Sequence, residues 1–330
     1  MAVTIEKPQQ QIPATPPVQD PNNNEVEPTK RPLHYQPTPH YPRVQMRPDI
    51  KLEPELVKQA TERVRARVLQ LNKENPDRFS QRQLDRVRSC DFEVRRFLYQ
   101  TEMNEKEAER MLVEKLEYGR ELDYDNAHDL RFPQEFYQIG GVFEYEVDSD
   151  GAPTVYMRAK LHRKLPVLQE VVKKFLLYKM VKIDERFSHE RTWSIVFDLQ
   201  GVSFSNVDFD LLLFLVKAVK EYFPWSIRYI AVVELPWMMQ TIWKAFEKLM
   251  PDSSRRLIVM MDRKRLNQVI SPDNLPDFLG GTCKTDYCRV PEGALSAEIV
   301  GAKELNLSPK EVQELMKHFQ KYLPAAPKKC

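Results

Sequence analysis

Glycine is scarce: nine in 330 residues, with neither a Walker loop nor a G-x-G-x-x-G run among them. Cradling a phosphate with closely approached backbone amides therefore has no candidate segment. Cysteine is scarcer. Cys90, Cys283, Cys288 and Cys330 are scattered along a long chain, which reads as free thiols rather than a disulfide framework. Cys283 and Cys288 have no second pair or nearby histidine to complete a zinc site. Charge of one sign is missing too, since 50 Lys and Arg meet 48 Asp and Glu for a net +2, too little to argue for a nucleic-acid partner. The longest apolar run, "LLLFLV" at 211–216, is far short of a membrane span. The start, "MAVTIEKPQQ", lacks the apolar stretch of a secretory signal, so a soluble cytoplasmic protein is expected.

Catalytic motifs are equally thin. There is no G-x-S-x-G elbow and no H-E-x-x-H, and His34, His40, His128, His162, His189 and His318 never pair at metal-ligand spacing. Of these, His162 and His189 are candidates for a buried functional role, although isolated histidines read first as structural or exposed. Asp198, at the end of an apolar strand and before Gly201, reads as a turn-holding carboxylate. No enzyme, cofactor or metal is expected.

What is present is a chain in four parts, with 42% hydrophobic residues to build a core. Residues 1–52 hold 11 of the 25 prolines and no glycine, and read as a disordered tail. Its "YQPTPHYP" (35–42) is a candidate contact for a protein partner, and otherwise a solvated linker. Residues 53–130 have helical periodicity. Val57, Val64, Val68 and Leu71 recur along one face, as do Ala108, Met111, Leu112 and Leu116 after a capping box at Asn104 and Glu107.

Residues 131–288 alternate strands and helices, which predicts a largely parallel sheet covered by helices. "DSDG" (148–151) reads as a hairpin turn, because the closing Glu of a calcium loop is missing. Strands are predicted at 193–201, 227–234 and 255–261, the last ending in a basic loop, "DRKR", and an apolar helix is predicted at 206–223. Residues 289–330 add a linker and one amphipathic helix, with Ser308 as N-cap, Pro309 at the first position and Glu311 at the third.

One helix is greasier than a surface helix needs to be. From Pro236, as its first residue, to Met250, the residues Met238, Met239, Ile242, Trp243, Ala245, Phe246, Leu249 and Met250 fill an arc of roughly 160° at about 100° per residue. Pattern alone leaves two readings open, an internal apolar pocket and plain core.

The runs "FDLQG" (197–201), "YFPWSIRYIAVVELPW" (222–237), "RRLIVM" (255–260) and "NLPDFLGG" (274–281), with "DFEVRRFLYQTEMNEKEA" (91–108) upstream, resemble the CRAL-TRIO family over roughly residues 53–283. The resemblance implies a helical subdomain followed by an α/β domain whose sheet floors an apolar lipid pocket, closed by a gate helix at 236–250. It implies a protein that binds a lipid and carries or presents it at cytoplasmic membranes, with Met239, Ile242, Trp243, Phe246, Leu249, Phe197 and Tyr222 as pocket and gate residues. Members that bind phosphatidylinositol carry an acidic residue where this chain has Trp225, while their basic residue is matched by Arg256. Both positions are headgroup candidates. The alternative expectation is a lipid-sensing or scaffolding adaptor that works through its tail and C-terminal helix.

Overall fold

The computed structural model describes residues 52–126, 128–186, 192–303 and 307–323. The Pro-rich tail up to residue 51, His189 and Cys330 lie outside them.

Helices α1 (Pro54–Glu74), α2 (Gln81–Ser89), α3 (Asp91–Gln100) and α4 (Glu105–Glu121) form the N-terminal part. The expected stripes turn inward: Val64 and Val68 of α1 meet Ala108, Met111, Leu112 and Leu116 of α4 around Leu84, Val94 and Phe97. Asn104 caps α4 by accepting from the Glu107 amide at 3.1 Å. The reciprocal half of the predicted capping box is absent, because the Glu107 carboxylate accepts from Arg110 instead.

A buried charge cluster fastens these helices to the α/β part of the chain. Arg96 of α3, fully buried, donates to Glu93 Oε1 (2.7 Å), to Asp184 Oδ2 (2.8 Å) and to Ser226 Oγ (2.7 Å). Lys115 reaches Glu93 from α4, and the indole of Trp193 donates to Asp184 at 3.1 Å. Each buried charge is paired, as burial requires.

The second part begins after a short helix, α5 (Gln134–Gln138). Its sheet runs in the order β1 (Val142–Val147), β2 (Pro153–Arg158), β3 (Trp193–Asp198), β4 (Ile227–Val233), β5 (Ile258–Met261). β1 and β2 are antiparallel and the other pairs are parallel, which gives the mostly parallel sheet expected of alternating strands and helices. The Asp148 carboxylate accepts from the amides of Asp150 (3.0 Å) and Ala152 (2.9 Å), and Gly151 supplies the left-handed residue, φ 78°. The DSDG run is thus a turn, and the carboxylate is spent on it.

Side-chain alternation splits the sheet into two buried faces. Val155, Met157, Trp193 and Ile195 point toward α6 (Gln169–Arg186), which is buried nearly all round. Tyr156, Val196, Tyr229 and Ala231 point the other way, under Leu266 and Leu275.

Several boundaries differ from the sequence reading. The strand predicted at 193–201 ends at Asp198. The predicted helix at 206–223 is α7 (Phe209–Lys217) followed by a wider π turn at Ala218–Tyr222. Pro236 is the N-cap of a 3-10 turn, Trp237–Met239, that leads into α8 (Gln240–Leu249), rather than the first helical residue. The predicted last strand begins only at Ile258, because α9 (Asp252–Arg255) takes Arg255 and the turn that ends it takes Arg256 and Leu257. "DRKR" is not a loop: the Asp262 carboxylate accepts from the Arg265 amide at 2.7 Å and starts α10 (Arg263–Val269).

The C-terminal stretch holds α11 (Ala297–Lys303), which the sequence reading missed, and α12 (Pro309–Phe319). Ser308 is the N-cap expected of it, and Glu311 completes a capping box with it. α12 is not a loose appendage. Leu315 and Phe319 are buried against Phe136, Leu168 and Phe175.

Candidate functional site

Between the α6 face of the sheet, α7, α8 and the end of α12 lies a cavity of about 190 Å³, or about 1310 Å³ if all space between the wall atoms is counted, mouth included. Its walls are apolar: Met157 and Phe197 from the sheet, Phe175 from α6, Leu211 and Leu215 from α7. The α8 segment supplies Met239, Ile242, Trp243 and Phe246. Residues 239, 242, 243 and 246 share the single helix face that the wide apolar arc implied.

α7 is the most apolar of the described helices, "FDLLLFLVK", yet none of its residues is fully buried. Leu211, Leu212 and Leu215 face the cavity while Phe209 and Leu213 are exposed. The α8 segment is likewise two-sided. Met239 and Phe246 are each 4% exposed, whereas Trp237 just before it is 80% exposed and Leu249 at its end 60%.

The sequence-derived residues therefore separate. Phe197, Met239, Ile242, Trp243 and Phe246 come together on the cavity wall. Leu249 faces solvent beyond the edge of the cavity. Tyr222 stacks on Tyr118 with ring centroids 4.4 Å apart, inside the core formed with Trp193 and Phe223. Trp225 has a left-handed backbone, φ 61°, and sets its ring edge-on to Tyr99 at 5.4 Å. Arg256 is exposed at the end of α9. Neither of these two is among the wall residues.

The polar end of the cavity is built by His162, Arg163, Asn206, Asp208 and His318, of which sequence reasoning singled out His162 alone. His162 Nε2 lies 3.1 Å from Asp208 Oδ2, across 46 residues of chain, and Asp208 also caps α7 by accepting from the Leu211 amide at 3.2 Å. The cap was legible in "NVDFD". The placement of His318 was not, because an amphipathic helix does not announce what it packs on. Burial, together with the charges of Lys321, Arg163 and His162, pushes the His318 imidazole pKa down. Asp198 stands apart, accepting from the Gln200 amide at 3.0 Å, with its pKa raised by burial. Among the described residues no group of three His, Cys, Asp or Glu is placed to hold a metal ion. No described helix is long and apolar enough to cross a membrane.

Residues 137–281 match the family model of the CRAL/TRIO domain. A CRAL-TRIO domain-containing protein of Schizosaccharomyces pombe is 27% identical over 196 residues, 56% of this chain and 44% of that protein. A phosphatidylinositol transfer protein of Eremothecium gossypii is 23% identical over 177 residues, 52% of this chain and 40% of that one. Human tyrosine-protein phosphatase non-receptor type 9 is 25% identical over 140 residues, 42% of this chain and 24% of the phosphatase, and the likeness runs through the CRAL/TRIO domain alone. The matches thus span less than half the length of each relative. The crystal structure of Sfh5 superposes on 80% of this chain and all of its own, with a TM-score of 0.50 at 15% identity, a likeness of fold. The α/β part of this chain, residues 137–281, is thus similar to a CRAL/TRIO domain.

Proposed function

We propose that the chain binds a lipid in this cavity and carries it to, or presents it at, a membrane surface, with the segment from Pro236 to Met250 as the gate. The observation that carries this reading is the two-sidedness of α7 and α8. Each walls an apolar cavity with one face and holds large apolar side chains in solvent with the other. A helix serving only as core has no use for Trp237 at 80% exposure.

Energetics asks for such a helix. Burying two acyl chains of ~15 methylenes each, at ~0.8 kcal/mol per CH₂, involves on the order of 20–25 kcal/mol of transfer free energy. A lipid lifted through water would bear that cost as a barrier. The cavity must therefore open against the bilayer, where exposed Trp237, Met238 and Leu249 exchange water for acyl chains. Arg256 and Trp225, off the cavity wall, enter this reading only as contacts for a headgroup while the gate is open, Arg256 by forking onto a phosphate. The relative that is a phosphatidylinositol transfer protein supports the ligand class. In "YFPWSIRYIAVVELPW" and "NLPDFLGG" the chain also looks like the lipid-binding domain of motile sperm domain-containing protein 2. Transient membrane association and a cytoplasmic site of action belong to the same proposal.

Transfer of a fluorescent phospholipid between donor and acceptor vesicles tests it. The chain should accelerate transfer in proportion to its concentration, and Trp237→Lys should slow it without unfolding the protein. A chain that accelerates nothing, or a Trp237→Lys variant that transfers at the unaltered rate, contradicts the gate.

A further inference from the structure

The cavity has a polar end, and its polar groups are unevenly spent. Of the polar wall residues, Arg158 turns to the opposite sheet face, its guanidinium carbon 4.0 Å above the ring of Phe278. Asn206 is consumed by its own loop, donating to the carbonyls of Lys160 (3.0 Å) and His162 (2.9 Å) and accepting from the Ser203 amide (2.9 Å). Asp208 is occupied by the Leu211 amide and His162 Nε2, with Lys164 Nζ 3.9 Å away. Lys164 itself pairs with Asp210 at 2.6 Å. Arg163 is different. Its side-chain hydrogen bond goes to the neutral Ser205 hydroxyl, and among the described residues no carboxylate lies within salt-bridge distance of it. His318 packs its ring on Phe319 and Tyr322, 5.8 and 5.4 Å between centroids, and within range of the charge of Arg163, His162 and Lys321. With Lys164 and Asp210 paired off, one carboxylate, Asp208, already engaged, thus stands beside a guanidinium and two imidazoles.

We infer that this end of the cavity takes the anionic group of the bound amphiphile, a phosphate or a carboxylate, on Arg163 with His162 and His318, while the acyl chain runs toward Phe197, Trp243 and Phe246. The inference rests on the proposed lipid-binding function and deepens it by orienting the ligand. Half-buried at the rim of an apolar wall, the guanidinium gives a charge-assisted hydrogen bond more weight than it has in water. A neutral ligand of the same chain length leaves that guanidinium without an ionic partner. The C-terminal helix becomes part of the binding site through His318, a role that its own amphipathic pattern does not disclose.

Calorimetry on the full chain tests this with three probes: 1-oleoyl lysophosphatidate, 1-monooleoylglycerol with the same chain and no charge, and glycerol 3-phosphate with the charge and no chain. The expected result is lysophosphatidate binding tighter than monooleoylglycerol by on the order of tenfold. Arg163→Gln should erase most of that gap, and Arg163→Lys should restore part of it, which a merely structural role would not do. Monooleoylglycerol and lysophosphatidate binding equally well would overturn the orientation and leave the lipid cavity standing. So would a gap that survives Arg163→Gln. Glycerol 3-phosphate binding as tightly as lysophosphatidate would mark a site for free anions and overturn the amphiphile. If neither oleoyl probe binds, the lipid-binding reading falls, and this inference with it.

Discussion

Trp243 and Phe246 stand edge to face on one side of α8, their ring centroids 5.9 Å apart, and both reach the cavity wall. Phe246 is 4% exposed there, so a carboxylate in its place has no water and no cation to meet. Phe246→Asp is expected to lose retained lipid and to cost about 2–4 kcal/mol of stability. Lipid extracted from the purified variant, together with its urea midpoint, checks both.

Phe319 closes the other end of the cavity from α12, its ring 5.6 Å from that of Phe136. Phe319→Ala removes about 3 kcal/mol or more of packing and opens a second mouth. Lipid should leave the variant faster than the unaltered protein, as monitored by loss of a fluorescent fatty acid to excess vesicles. An unchanged off-rate would mean that α12 stabilises the fold without sealing the cavity.

The buried cluster at Arg96 makes a prediction about pH. Burial alone would raise the Glu93 pKa, but Arg96, Lys115 and Arg86 outweigh it and hold the carboxyl far below its usual value of 4.5. Asp184 is lowered in the same way, against its own burial, by Arg96 and Lys115. Both folded-state pKa values lie below the unfolded ones, so the unfolded chain binds more protons as acid is added. The stability from this cluster is therefore complete above about pH 5, begins to be lost as pH enters the usual carboxylate range, and goes on being lost down to the depressed folded values. Urea midpoints should fall between about pH 6 and about pH 3.5, and less steeply in a variant lacking the cluster.

The same cluster ranks its own substitutions. Arg86, Arg96 and Lys115 meet Glu93 and Asp184 at close range, three cations to two carboxylates, with Glu185 beside Arg86 already paired with Arg82, and burial with Arg96 pushes the Lys115 pKa down to about 8. Lys115→Met removes the surplus charge and is expected to cost little. Arg96→Met leaves the same balance of charge but removes the hydrogen bonds that Glu93, Asp184 and Ser226 accept from it, and is expected to cost about 3–5 kcal/mol. Equal losses in the two variants would show that the count of charges, and not the hydrogen bonds of Arg96, governs the site.

How much of this was legible in the sequence depends on range. Periodicity is local, so the stripes of α1 and α4, the alternation of strand and helix, and the wide arc of 236–250 were all readable. So was the DSDG turn, because Asp148 acts on amides two and four residues away. "DRKR" was misread because its basic composition masked an ordinary Asp N-cap at Asp262. His162, Asp208 and His318 are brought to one cavity only by tertiary packing, across 46 residues in the first pair and onto a separate helix for the third. Nothing in the spacing of those residues encodes it. Trp225 and Arg256 were singled out by resemblance, and the fold sets them away from the cavity wall.

The most direct measurement is native mass spectrometry of the full chain after incubation with phospholipid vesicles. The account predicts a discrete adduct of one lipid mass that survives gentle transfer, disappears on denaturation, and is missing from Phe246→Asp under the same conditions. A folded chain that shows only its own mass, with and without vesicles, would contradict it.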